Sequence, residues 1–259
     1  MENNTLTMEG QLLEIISNEL KRISQNNNLA VDYLRICAYA QTLLDTYMGE
    51  DYDFPIDIDL LVKNLEPQID VTYQPLNSTM ENGETRMHRL VGRNLKRKNL
   101  FNGEIVSSIL IDNESNRAEQ RYALAHELAH YIMHYSENIL NSEYCVMPML
   151  FREMEEMVAD CFATFLLIPT PLFVKEFSAY IGKQFVPVKT SEWLRYLSIV
   201  SEVAYENVAI GYQMIRYVCG AVYGINTGTI KIEDDQFITK FLEKMKEVMI
   251  PEVVEQLFY

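Results

Sequence analysis

Residues 126–130, His126-Glu127-Leu128-Ala129-His130, are an HExxH sequence, the strongest structural signal in this chain. In an α-helix, side chains four residues apart differ by about 40° around the axis and about 6 Å along it, so both imidazoles reach one point beside the helix. Imidazole is a good zinc ligand, and catalytic zinc keeps three protein ligands and an open fourth position. The motif therefore predicts a helix that binds Zn2+ through His126 and His130.

Glu127 has a different expected role from the two histidines beside it. It lies about 100° round the helix from His126, which places its carboxylate next to the metal rather than on it. There it can accept a proton from a metal-activated water and pass it to the leaving amine. We therefore predict Glu127 as the catalytic base.

The third metal ligand is expected from a later segment, Glu156-Met157-Val158-Ala159-Asp160, which carries two acids one helical turn apart. Small residues beside Glu156 would allow close approach to the metal helix. We predict Glu156 as the ligand, with Asp160 in the second coordination sphere, accepting the free ring N–H of a ligating histidine. Glu153 and Glu155 stay open as alternatives to Glu156.

His134 continues the stripe of histidines one further turn along the helix. It lies about 12 Å along the axis from His126, too far for both to share one tetrahedral ion with His130. We therefore expect His134 to pack or to act in the second coordination sphere.

Strand signals come before the motif. The segments Ile69 to Tyr73 and Glu104 to Ile111 are rich in β-branched residues, and Asn82-Gly83 and Asn102-Gly103 are turn signals. These features predict a small, largely antiparallel sheet.

Helical signals surround the motif. Asn116, followed three residues later by Glu119, is typical of a capping box and predicts a helix from Arg117 to about Tyr135. A further helix is expected over Phe151 to Ile168, before the prolines that end it. The overall fold class predicted is α+β.

Composition argues against nucleic-acid and membrane partners. The 259 residues carry a net charge of -15, which repels phosphate backbones. A basic cluster between Arg86 and Lys98 is interpreted as a solvated hairpin or loop. Charged residues interrupt the apolar stretch from Trp193 to Ile225, which argues against a membrane span. We therefore expect no membrane binding and no direct nucleic-acid binding.

The N-terminal sequence lacks the basic and apolar regions of a secretory signal, so we expect a cytoplasmic protein. The cysteines form no CxxC pair of the kind that a zinc ribbon needs, and buried reduced thiols are expected. They are Cys37, Cys145, Cys161 and Cys219.

Three blocks of sequence together resemble the ImmA/IrrE family of metallopeptidases. They are residues 121–131 (RYALAHELAHY), 156–163 (EMVADCFA) and 166–169 (LLIP). The family pattern is RF-x-x-AHELGH, then E-x-x-A-N/D-x-FA, then LLMP. Ala129 stands where the family usually has Gly, and Tyr122 where it often has Phe. The resemblance covers roughly Phe54 to Phe173.

The resemblance implies a zincin-like catalytic domain with a gluzincin-like site, in which His126, His130 and Glu156 bind zinc and Glu127 is the base. It also implies a zinc-dependent endopeptidase whose substrate is a helix-turn-helix transcriptional repressor of a prophage or mobile element. The alternative function is a zinc-stabilised regulatory module that sequesters a repressor without cleaving it. A third possibility is a zinc hydrolase that acts on a small amide.

Helical segments are expected on both sides of the catalytic domain. Residues 1–50 predict an N-terminal helical extension, residues 51–175 the ImmA/IrrE-like metallopeptidase domain, and residues 176–259 a mostly helical region for docking or regulation.

Overall fold

The computed structural model describes residues 8–25, 32–65, 69–76, 90–98, 105–137, 140–145, 153–182, 189–232 and 235–258. Contacts divide the chain into two compact units. The first comprises Met1–Val31 and Glu66–Asp160, and the second comprises Asp32–Leu65 and Cys161–Tyr259. The three-segment organisation expected from the sequence stays a prediction.

A four-stranded sheet lies in the first unit. Its strands are β1 (Ile69–Gln74), β2 (Leu90–Lys98), β3 (Ile105–Asp112) and β4 (Leu140–Cys145), in the order β1-β3-β2-β4. The pair β1–β3 is parallel, whereas β2 is antiparallel to both β3 and β4. The sheet is therefore small and largely antiparallel, which confirms the α+β fold class.

The central strand β2 corrects the interpretation of the basic cluster. Residues 90–98, expected to belong to a solvated hairpin or loop, are a strand that is antiparallel to both neighbours, and its Asn94 and Lys96 side chains are buried rather than solvated. Alternate strand residues share a face, so these two side chains point to the same side of the sheet. Arg86 and Arg89, in the same cluster, lie outside the described residues.

The metal-motif helix of the prediction is α4 (Arg117–Met133). Its capping box is present: the Asn116 side chain accepts from the Glu119 amide at 3.0 Å, and the Glu119 side chain accepts from the Asn116 amide at 3.2 Å. Every residue from Arg121 to Met133 is buried. The helix packs against the sheet and against α1 (Met8–Ser24), whose Ser17 hydroxyl donates to the Met133 carbonyl at 2.7 Å.

Lys96 binds the C-terminal end of α4 from strand β2. Its Nζ donates to the Tyr135 carbonyl at 2.6 Å and lies 5.0 Å from the centre of the Tyr131 ring. A cation at this end is favoured by the helix dipole and by the last carbonyls, which lack partners within the helix. The lysine is therefore a structural residue that joins the sheet to α4.

We expect Lys96→Met to lower the free energy of unfolding by about 2 kcal/mol, because it leaves the part-buried Tyr135 carbonyl without its charged donor. Thermal and urea unfolding followed by circular dichroism would measure the change. Lys240→Met, at an exposed position, is the matched control. Equal stability of the two variants would contradict the proposed role of Lys96.

The second unit is helical within the described residues. It holds the residues of α5 (Met154–Leu167) from Cys161 onward and seven further helices. These are α2 (Tyr33–Met48), α3 (Ile58–Leu65), α6 (Thr170–Gly182), α7 (Thr190–Ser201), α8 (Tyr205–Asn226), α9 (Gln236–Val248) and α10 (Pro251–Phe258). Trp193 packs among Phe173, Phe177 and Tyr180 in its core.

The cysteines agree with the sequence-based expectation where they are described. Cys37, Cys161 and Cys219 are free and buried, whereas the side chain of Cys145 lies outside the described residues. Among the described helices, none is by itself long and apolar enough to cross a membrane, while the bent pair α5 and α6 meets that test of length and composition together.

Candidate metal centre

Two histidines of α4 face each other one turn apart. His126 and His130 are buried, and their Nε2 atoms lie 3.1 Å from each other. The convergence follows from helix geometry, because the four-residue spacing puts both rings on one side of α4. The structure thus brings together the two nitrogen atoms that the motif predicted as ligands.

Glu156, in the first turn of α5, is the third residue of the cluster. Its Oε2 lies 3.3 Å from His126 Nε2, and its Oε1 lies 3.2 Å from His130 Nε2. These three residues form a group that could hold one metal ion. Of the three glutamates left open by the sequence, Glu156 is therefore the one placed against both Nε2 atoms.

The charges of the cluster favour a cation at its centre. Burial lowers the pKa of His130, but the carboxylates of Glu155 and Glu156 outweigh it and raise that pKa to about 10. Burial likewise lowers the pKa of His126, and Asp160 and Glu156 again raise it overall. For Glu156, burial raises the carboxyl pKa, yet hydrogen bonds from the two rings lower it well below its usual range. A metal ion would replace the protons held between these groups.

Asp160 contacts the Nδ1 atom of His126, whereas the Nε2 atom of the same ring faces His130. Its Oδ1 is 3.0 Å from His126 Nδ1, and the Tyr122 hydroxyl donates to the same oxygen at 3.3 Å. A proton on Nδ1, donated to this carboxylate, leaves the lone pair of Nε2 free for a metal. The structure therefore places Asp160 against a ring nitrogen of His126, and its role in the second coordination sphere of a metal stays a prediction. Tyr122, which stands where the family often has Phe, uses its hydroxyl to contact Asp160.

Glu127 is buried beside the cluster and is not part of the three-residue group. Its side chain lies against strand β2 at Gly92, where a Cβ would be only 3.0 Å from Glu127 Cγ and 3.2 Å from the Ala123 methyl. Asn94 Nδ2 donates to the Glu127 carbonyl at 2.9 Å. Two residues of β2 thus hold the helix and the carboxylate of Glu127 in place.

Sequence reasoning missed Gly92 and Asn94. A glycine within a strand often marks a close approach of another group. That signal is present in the sequence, but the charge of the cluster between Arg86 and Lys98 favours a solvated hairpin or loop.

With Glu127 in the role of catalytic base that the sequence predicts, we expect Gly92→Ala to lower kcat by roughly 10²-fold, because a displacement of about 1 Å in such a group has effects of that size. The added methyl would push the Glu127 side chain away while leaving His126 and His130 untouched, so metal content should not change. Gly182→Ala is the control, since nothing lies within 4 Å of a Cβ at that position. Full activity of the Gly92 variant would show that this contact does not position Glu127.

His134 lies outside the three-residue group, as the helix geometry required. Its Nε2 is 2.7 Å from Glu155 Oε1, and its Nδ1 is 3.2 Å from Glu137 Oε1. The sequence-based expectation of packing or a second-sphere role is compatible with these contacts.

Comparison with known families agrees with this geometry. The peptidase M78 family model, described as the IrrE N-terminal-like domain, matches residues 66–208, which is more than half of the chain. No curated protein matches the chain. The matched residues include α4 and the whole of α5, the two helices that supply the candidate ligands. The chain belongs to the peptidase M78 family and is a metallopeptidase.

Proposed function

We propose that the protein is a zinc-dependent endopeptidase that hydrolyses one peptide bond of a helix-turn-helix transcriptional repressor. The observation that carries the proposal is the triangle formed by two imidazole nitrogens and one carboxylate, with the buried carboxylate of Glu127 beside it. A purely structural zinc site usually closes its fourth position with a protein ligand. An adjacent carboxylate outside the ligand group favours catalysis over a structural role.

The dimensions of the triangle support zinc. A tetrahedral ion with bonds of about 2.0–2.1 Å separates its ligand atoms by about 3.3 Å. Here the two Nε2 atoms lie 3.1 Å apart, and each lies 3.2–3.3 Å from a different oxygen of Glu156, so a small cation fits between the rings and the carboxylate. Two imidazoles and one carboxylate are also a donor set found in catalytic zinc sites. When bound there, zinc would supply a Lewis acid that polarises a water molecule and the scissile carbonyl.

Residues of the chain transfer the protons during hydrolysis and position the groups that take part. As the water oxygen bonds to the carbonyl carbon, Glu127 accepts the proton that the water loses. Glu127 then gives this proton to the leaving nitrogen as the C–N bond breaks. Asp160 keeps the Nδ1 proton of His126 in place, so that Nε2 stays available as a ligand. Gly92 and Asn94 hold Glu127 where both transfers occur.

Charge supports a DNA-binding protein as the substrate. Proteins that bind nucleic acids carry basic surfaces, and this chain has a net charge of -15. Complementary charge speeds encounter and favours such a partner over acidic proteins. The resemblance to ImmA/IrrE proteins, which cleave helix-turn-helix repressors, points to the same class of substrate.

The direct test is incubation of the zinc-loaded protein with the product of the adjacent reading frame, tested as the repressor substrate. We expect one cut at one position, identified by mass spectrometry, and no cut after treatment with a chelator. A basic, folded protein of similar size that is not a repressor serves as the control. A stable complex without cleavage would instead support a module that sequesters the repressor.

A further inference from the structure

His130 is contacted at both ring nitrogens by two consecutive glutamates of α5. Glu156 Oε1 lies 3.2 Å from Nε2, on the side of the metal cluster, and Glu155 Oε1 lies 3.6 Å from Nδ1 on the other side. Consecutive helix positions differ by about 100°, so neighbouring carboxylates can reach opposite edges of one ring. The second contact belongs to no part of the mechanism described above.

The Nδ1 atom of His130 needs an acceptor. It is buried and has no hydrogen-bond partner among the described residues. When Nε2 binds a metal, the only ring proton is on Nδ1, and a buried donor without a partner is unfavourable. The other ligand, His126, meets this need through Asp160 at 3.0 Å. Glu155 is the carboxylate beside Nδ1 of His130, as Asp160 is beside Nδ1 of His126.

Glu155 is itself held by a second histidine. His134 Nε2 lies 2.7 Å from Glu155 Oε1, and the rings of His130 and His134 are stacked with 15° between their planes. His134 also faces Glu137, which pairs with Lys21 of α1. The Glu155 side chain is 44% exposed, so a shift of less than 1 Å toward Nδ1 requires little rearrangement.

We propose that Glu155, held by His134, is a positioning residue that accepts the Nδ1 proton of His130 when His130 Nε2 binds the metal. The inference rests on the proposed function, because it assumes that His130 is a zinc ligand. It assigns to His134 an indirect role: the imidazole keeps the Glu155 carboxylate turned toward the ring.

A second cation held by His130, His134 and Glu155 is the competing interpretation, since these residues also form a group that could hold a metal. The separation of 2.7 Å between His134 Nε2 and Glu155 Oε1 is that of a direct hydrogen bond. Two ligands of one tetrahedral zinc ion would lie about 3.3 Å apart. The hydrogen bond is therefore the interpretation that the distances favour.

The test compares Glu155→Ala with Glu153→Ala in the full chain. Both variants remove one carboxylate from the start of α5, so changes in net charge and helix dipole are matched. We expect the zinc Kd, measured by competition with a chelator, to rise roughly 10–100-fold for Glu155→Ala and to stay unchanged for Glu153→Ala. Glu155→Gln, which keeps a neutral acceptor, should show a smaller rise.

A spectroscopic readout separates positioning from a general structural effect. In the 15N-labelled zinc-loaded protein, we expect a slowly exchanging Nδ1–H signal from His130. Glu155→Ala should lose that signal to exchange with solvent, whereas Glu153→Ala should keep it. The same signal and the same zinc affinity in both variants would overturn the proposal while leaving the zinc peptidase intact.

Three other outcomes would also overturn the inference, each for a different reason. Binding of two zinc ions, with only the second lost in Glu155→Ala, would establish a second cation site. Complete loss of zinc in Glu155→Ala, with zinc retained in Glu156→Gln, would make Glu155 the metal ligand. Absence of zinc binding by the unmodified protein would remove the proposed function together with the inference.

Discussion

Glu127→Gln is expected to reduce repressor cleavage by roughly 10²–10⁴-fold, the range over which a positioned general base contributes to catalysis. The amide has the shape of the carboxylate but cannot accept the proton of the attacking water. Glu127 is not one of the three residues that could hold the metal ion, which are His126, His130 and Glu156. Zinc content should therefore equal that of the unmodified protein.

Single-turnover cleavage assays and zinc analysis on the same preparation would measure both quantities. Equal cleavage by the Glu127 variant and the unmodified protein would rule out Glu127 as the base. Loss of zinc together with activity would show that this carboxylate stabilises the metal site instead, and the division between ligand and base would then be wrong.

Glu156→Gln is expected to remove zinc from the protein and, with it, all cleavage. A neutral amide oxygen is a much weaker zinc ligand than a carboxylate, and the change also removes the negative charge that lies 3.2–3.3 Å from both Nε2 atoms. The loss of affinity should exceed the roughly 10–100-fold effect typical of removing a residue that only supports a ligand.

Glu153→Gln provides the control for Glu156→Gln, because it removes the same charge from the same end of α5 at an exposed position. Competition with a chelator gives the affinity, and circular dichroism of the metal-free proteins checks that both variants fold. Full zinc occupancy in Glu156→Gln would show that the third ligand is another residue.

Much of the candidate site could be predicted from spacing within single helices. The four-residue interval between His126 and His130 places both rings on one side of α4, whatever packs around it. The capping box at Asn116 is equally local, and it set the start of the helix correctly. The same holds for the acidic pair of α5, whose one-turn spacing put Asp160 on the same side as Glu156.

Contacts between elements could not be predicted in this way. Strand β4 (LNSEYC) was missed because its polar residues carry little strand propensity, and pairing with β2 is what makes it a strand. The charge of the cluster containing Lys96 favoured a solvated hairpin or loop, but the Tyr135 carbonyl, just past the end of α4, gives the buried lysine a hydrogen-bond partner. Neither outcome depends on residues that are close in sequence.

The sequence alone was enough to predict the α+β class, helix α4 and the convergence of His126 and His130, because backbone hydrogen bonding within a helix sets the relative positions of nearby side chains. The tertiary structure decided which of three neighbouring glutamates faces both Nε2 atoms, and it placed Gly92 and Asn94 against Glu127. Those relationships arise from the packing of α5 and β2 on α4, which no local spacing specifies.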